Sequence, residues 1–455
     1  MSDTAPAFAR KGLLRLSWPL LLVTVLTLLA TLGNVVLLSA SSAELNAAVA
    51  TANQLLGVLY DVSVLFSLGA LVVVAQFLGG GAYTAARRAS AVALRASSIL
   101  GIAMAIGVAV AAPLLLPLIR TPEDIRPDAL AYLWVVAAGL AFNAYIVAAS
   151  AVLRAYGRTV ALLVLGVVVN VLDVALLYVC LFVLELGAVG AAIPTLVVRG
   201  IGALLLAWLV RSRTGVRMWA PLPPKEEGTR AWTMARLSVP TVLENGLYNI
   251  AIVVVVTAVN ALGTDAINAR SYALTLTALV TGLILALAQG NETIVGWDVG
   301  EDALAHARRQ TVRTVVGTAV TSALLAALLW LGADPLLSIF GPNEVVLAET
   351  RTALAISVLL LPLSAVTAVV YGALRSAGDV VVPMAYSIGT SIVVLVPVSF
   401  LLVETAGLGV AGVFWGLVLA EAVKAALLFG RWLGGRWMQD ARVVDAAVPA
   451  ASVPA

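Results

Sequence analysis

The chain has 455 residues, of which 62% are hydrophobic and only 11% charged, with a formal net charge of +3. A soluble globular protein carries roughly 25% charged residues, so a water-soluble fold is excluded. The sequence pI near 9.1 comes from basic loops between apolar segments and gives no argument for nucleic-acid binding.

Taken in chain order, the apolar segments predict twelve spans: 14–38, 47–76, 89–119, 129–151, 159–184, 187–210, 235–261, 266–297, 310–332, 350–373, 380–403 and 408–430. Each reaches or approaches the ~20 residues that cross ~30 Å of hydrocarbon. Lipid offers no hydrogen bonds to the backbone, so the spans are helices. The apolar–polar alternation of a membrane β-barrel is absent. The first span has a basic flank (Arg10, Lys11, Arg15) and a cleavage-like Ser41-Ser42-Ala43. Its apolar run exceeds a signal core, and it is read as a retained helix. The predicted fold is an all-α polytopic membrane protein.

The chain is also written twice. Leu16-Ser17-Trp18-Pro19 returns as Leu237-Ser238-Val239-Pro240, Ala86-Arg87-Arg88 as Ala307-Arg308-Arg309, and Leu153-Arg154 with Gly157 as Leu374-Arg375 with Gly378, all 221 residues apart. Gly187 and Gly190 match Gly409 and Gly412 at 222. Six spans per half make the repeat parallel, as in transporters built from two bundles. The expected organisation is a six-helix lobe over residues 1–212, a cytoplasmic linker over 213–233, a second lobe over 234–435 and a disordered tail over 436–455.

Basic residues fall on alternate loops: Arg87 and Arg88, Arg154 and Arg158, the 211–236 region, Arg308 and Arg309, Arg375, and Arg431 with Arg436. The intervening loops hold Glu44, Glu185, Asp265 and Glu404. The positive-inside rule then puts both termini in the cytoplasm of a cell-membrane protein.

Soluble-enzyme chemistry is missing. His306 is the only histidine and lies beside a basic pair; the one cysteine, Cys180, reads as packing. Gly79-Gly80-Gly81 lacks the Lys-Ser or Lys-Thr of a phosphate loop, which argues against an ATP-driven pump. A membrane-embedded enzyme is the remote alternative.

Ionisable groups inside spans are costly and mark function by default. Asp61 lies near mid-depth of span two. Asp173 shares a helical face with Asn170 in span five. Glu244 stands in span seven with Asn249 about one turn on. Asn34 is late in span one. Buried carboxylates of this kind bind protons, or Na⁺ with neighbouring amide and hydroxyl oxygens. Glu421 and Lys424, at i and i+3, read as a structural ion pair, and Arg199 as a residue that pairs with an acid and locks two helices.

Several segments resemble the multidrug and toxic compound extrusion (MATE) family of the wider flippase superfamily. They are Ala75-Gln76-Phe77-Leu78-Gly79-Gly80-Gly81 with Ala86-Arg87-Arg88, and its copy Ile294-Val295-Gly296 through Gly300. Leu153-Arg154-Ala155-Tyr156-Gly157, Leu374-Arg375-Ser376-Ala377-Gly378, Asn170-Val171-Leu172-Asp173 and Gly187 through Thr195 complete the set. The resemblance spans residues 15–433. It implies a secondary active exporter of amphipathic, cationic small molecules, coupled to H⁺ or Na⁺ and working by alternating access between two six-helix bundles. Asp173, Asn170 and Thr195 match the polar cluster of one family branch, with Na⁺ at Asp173 and Asn170 as one option. That branch has an aspartate where this chain has Asn34. The expected site is therefore Asp61, Asp173, Asn170, Thr195, Asn34, Glu244 and Asn249, in a monomer that needs no cofactor beyond the coupling ion. A lipid or lipid-linked oligosaccharide flippase is the nearer alternative; only Arg199 and Arg270 would serve its anionic substrate.

Overall fold

The computed structural model describes residue 8 and residues 10–444, apart from 119, 120, 124, 339, 340, 440 and 442. Among the described residues there are helices and no strands. Two compact units are formed: Met1–Val242 with Val444–Ala455, and Leu243–Val443.

In the first unit the helices are α1 (Leu13–Ser41), α2 (Ala43–Ser63), α3 (Ser67–Gly79), α4 (Tyr83–Leu118), α5 (Arg126–Ala155), α6 (Thr159–Tyr178) and α7 (Gly187–Thr214). The amino-terminal half of α8 (Pro224–Ala261) belongs here too. In the second unit the rest of α8 is followed by α9 (Thr264–Gly300), α10 (Leu304–Leu331), α11 (Ala333–Leu337) and α12 (Glu344–Ser376). Then come α13 (Val381–Thr390), α14 (Val396–Phe400) and α15 (Gly409–Leu433). Twelve helical segments are long and apolar enough to cross a membrane, as the sequence requires.

Packing explains which faces meet lipid. On α4, Ile99, Ile102, Ile106, Val110 and Leu114 are all exposed, three or four residues apart, and Val316, Val320, Leu324 and Leu328 form the same stripe on α10. Such a continuous apolar face belongs against acyl chains. The opposite faces carry small residues; on α5 Ala144, Ala148, Ala151 and Ala155 are fully buried and let neighbouring backbones approach.

The sequence repeat is a structural repeat. Helix α5 packs on α4, α7 and α3; its copy α12 packs on α10, α15 and α9. The same turns recur: Arg158 N–H donates to Leu153 O at 2.8 Å and Asp379 N–H to Leu374 O at 3.0 Å. Left-handed backbone recurs at Gly157 and Gly378, at Gly187 and Gly409, and at Gly81 and Asp302. At Asp302 a side chain is tolerated where the first copy uses glycine, at a steric cost of about 1 kcal/mol. A five-residue π-helical turn follows α6 at Val179–Val183, and its counterpart lies at Leu401–Thr405. A further π turn at Ser391–Leu395 stands only in the second unit among the described residues.

Three expectations change. The span read as 47–76 is broken: α2 stops at Ser63 and α3 starts at Ser67, with short turns between. Ser63 Oγ donates to Leu59 O and Ser67 Oγ to Val64 O, competing locally with the backbone ladder. The segment read as linker becomes helix at Pro224, a proline in its favoured first-turn place. There Arg230 pairs with Glu226 at 2.9 Å and donates to Ala85 O at 2.9 Å, docking the start of α8 on α4. The segment read as tail begins ordered: Trp437 stacks on Trp432 with centroids 4.1 Å apart, and Val444 N–H donates to Gln76 Oε1. Residues 445–455 lie outside the described residues.

Candidate functional site

The acids inside the spans divide into two kinds. Some have a resident cation. Glu292, almost fully buried on α9, accepts from Arg375 Nε at 2.7 Å. Glu421 on α15 pairs with Lys424 Nζ at 2.6 Å and accepts from Thr367 Oγ1 at 2.7 Å. These groups carry no spare charge, and the Glu421–Lys424 pair is the ion pair the i, i+3 spacing implies. Others have none: among the described residues no cation comes within ion-pair distance of Asp173 or Glu244. An acid left without a counter-ion in lipid is the kind that must take one from outside.

In the first unit, Asn34 on α1 donates from Nδ2 to Asp173 Oδ2 on α6 at 2.7 Å. Asn34 Oδ1 is shielded from solvent and accepts no hydrogen bond. The pair therefore combines a carboxylate with an amide oxygen that accepts nothing. Asn170, on the same face of α6, donates to Thr27 Oγ1 at 3.3 Å and to Gly166 O at 2.8 Å. Its amide thus faces α1 at Thr27, about two turns before Asn34. Thr195 lies half-buried on α7.

Arg199, one turn beyond Thr195, is the fixed positive charge of this region. Its Nη2 donates to Tyr60 OH at 2.7 Å, and the guanidinium lies 4.9 Å from the Tyr60 ring centroid. Gly139 on α5 makes room for it: a Cβ there would stand 3.4 Å from Arg199 Cδ. Arg199 Nη1 is shielded and bonds nothing. Its expected acid partner is thus replaced by a tyrosine, while its charge still acts on Asp173. Tyr132 OH donates to Asn53 Oδ1 at 3.4 Å nearby.

Asp61 sits in the last turn of α2, just before the break. The carboxyl end of a helix carries partial negative charge, so a carboxylate there adds to a field that draws cations.

In the second unit, Ser387 Oγ on α13 donates to Glu244 Oε1 on α8. Glu244 also acts electrostatically on Lys424, whose Nζ lies 5.7 Å from the Tyr248 ring centroid. Arg270 acts electrostatically on the same tyrosine. Asn249 is exposed on the following turn.

Sequence reasoning missed Glu292, whose position 221 residues earlier is Leu71, so the repeat gave no warning. It also missed Asp298, buried and bonded to His306 Nδ1 at 2.7 Å; the histidine ring is exposed but tethered. Tyr60 and Ser387 were not visible as partners because their contacts are long-range.

Comparison with known proteins bears on the family and the fold. The sequence model of the MatE family matches residues 19–179 and 240–401, one stretch in each repeat. A Bacillus subtilis (strain 168) protein named "Uncharacterized transporter YisQ" is 24% identical, covering 94% of this chain and 95% of its own. The "Probable multidrug resistance protein NorM" of Thermotoga maritima is 23% identical, covering 93% of each. Among solved structures, the outward-facing conformation of a multidrug resistance MATE family transporter of the MOP superfamily superposes with a TM-score of 0.86 at 20% identity. That match covers 94% of this chain and 96% of the other. A MOP superfamily transporter from Pyrococcus furiosus, whose binding pocket is described as of reverse polarity, gives 0.85 at 20% identity over 96% of each chain. With its two repeats each matched by the family and twelve helices long and apolar enough to cross a membrane, the chain belongs to the MatE family of multi-pass membrane transporters and is not an enzyme.

Proposed function

We propose that this transporter is a secondary active exporter that exchanges an amphipathic, cationic small molecule for H⁺ or Na⁺ by alternating access. The observation that supports this best is the Asn34–Asp173 pair, a carboxylate with no cation beside it and an amide oxygen with no donor. A proton on Asp173, or Na⁺ across both oxygens, would satisfy that acceptor. A cationic substrate would compete for the same charge, which is the basis of exchange. Asn170 and Thr195 are the supporting oxygen donors, Asp61 a second cation-attracting acid, and Glu244 with Asn249 the corresponding site in the second unit. Both termini are placed in the cytoplasm of the cell membrane by the basic loops, and one chain suffices as a monomer.

Dye selectivity tests this reading. Inverted vesicles from cells expressing the chain should accumulate cationic ethidium and ignore anionic dyes of similar size. Accumulation of anionic dyes, or translocation of a fluorescent phospholipid with no dye transport, would favour the flippase alternative, in which the free Nη1 of Arg199 would meet an anionic headgroup.

A further inference from the structure

Away from the site just described, the first unit holds a groove of about 500 Å³ between the start of α6 and the end of α7, closed by the segment before α1. Its mouth is made by Lys11, Arg158 and Arg213, and none of the described residues lining it is acidic. Burial, and then the nearby charges of Arg158 and Arg15, push the Lys11 ammonium down. The walls below the mouth are apolar. Val160, Val164 and Val168 follow one ridge of α6, and Leu205 and Trp208 face them from α7. From Val160 to Val168 the ridge runs about 12 Å along the helix axis.

Charge at one end and hydrocarbon along the rest describe an amphiphile of opposite charge. A second groove of about 400 Å³, between α2, α4 and α5, makes the contrast: Leu56, Met104, Val108 and Leu133 line it, and no cation does. Trp208 is exposed at the level where tryptophan favours the membrane–water boundary. The mouth lies at the end of the bundle that carries the basic loops, where lipid phosphates reside.

We propose that this groove binds one anionic phospholipid, its phosphate held by Lys11, Arg158 and Arg213 and an acyl chain laid along α6 and α7 toward Val168. The site depends neither on the transported compound nor on the coupling ion.

Native mass spectrometry of the full chain, delipidated and titrated with phosphatidylglycerol or phosphatidylcholine of identical acyl chains, tests it. The unaltered protein should bind one phosphatidylglycerol at least about 25-fold more tightly than phosphatidylcholine. A basic residue near the surface contributes about fivefold, so Lys11→Gln with Arg213→Gln should weaken phosphatidylglycerol about 25-fold and leave phosphatidylcholine unchanged. Arg211→Gln with Arg217→Gln, basic but outside the groove, should change neither. Val164→Trp, which fills the channel, should remove the specific lipid with all three cations intact. Equal binding of the two lipids, an equal loss in the off-groove pair, or displacement of phosphatidylglycerol by millimolar inorganic phosphate would overturn the proposal.

Discussion

Asp173→Asn is expected to reduce gradient-driven dye accumulation in inverted vesicles to the level of vesicles without the protein, while the protein still folds. The amide has the shape of the carboxylate and still accepts from Asn34 Nδ2, so the bond at 2.7 Å survives. What disappears is the ability to hold a proton and the charge that attracts Na⁺. A pH step of two units supplies about 2.7 kcal/mol per proton, enough for about a hundredfold accumulation. Without the acid that factor falls toward one. The melting temperature in detergent should move by only a few degrees, since a conserved hydrogen bond contributes about 1 kcal/mol. Full accumulation by the variant would remove Asp173 from the coupling step.

Arg375→Ala is expected to have the largest effect on stability. It leaves Glu292, only 1% exposed, with an uncompensated charge. Removing one member of a buried pair costs about 3–5 kcal/mol, which for a unit of this size lowers the melting temperature by about 10 °C. Replacing both residues by methionine removes the stranded charge and should recover much of the loss. Fluorescence-detected thermal unfolding of the two variants checks this; equal melting temperatures for the single and double variants would show that the pair is not what holds α9 to α12. The bond from Ser376 Oγ to Glu292 O, at 2.7 Å, is untouched by either change.

These two residues also mark how much the sequence disclosed. Asp173 stood out because a lone carboxylate in an apolar run has a cost that only function explains. Its partnership with Asn34 needed coordinates, since the two are 139 residues apart. Glu292 escaped notice because it lies near the end of a span, in the run Gly290-Asn291-Glu292, where polar residues are common. The twelve spans and the repeat were legible because length and hydropathy fix the first and the spacing of arginines, prolines and glycines fixes the second. The break after Asp61 was not. Leucines and valines run through it on every side, so no change of period marks the interruption, and two serine hydroxyls decide it locally. The π turns at Val179–Val183 and Leu401–Thr405 were hidden for the same reason. Pro224 could have announced the start of α8, but the charged residues after it read as a solvated linker. Their charges are instead used in pairing, Arg230 with Glu226 and Arg95 with Glu227.

Reconstitution decides the central claim. Proteoliposomes containing the unaltered chain, with the membrane potential clamped, are given a cationic dye under an imposed pH gradient, an imposed Na⁺ gradient, or neither. The account expects one of the two gradients to drive the dye against its own concentration difference, and the same gradient to do nothing with Asp173→Asn. Dye that merely equilibrates at the same rate under all three conditions would contradict it.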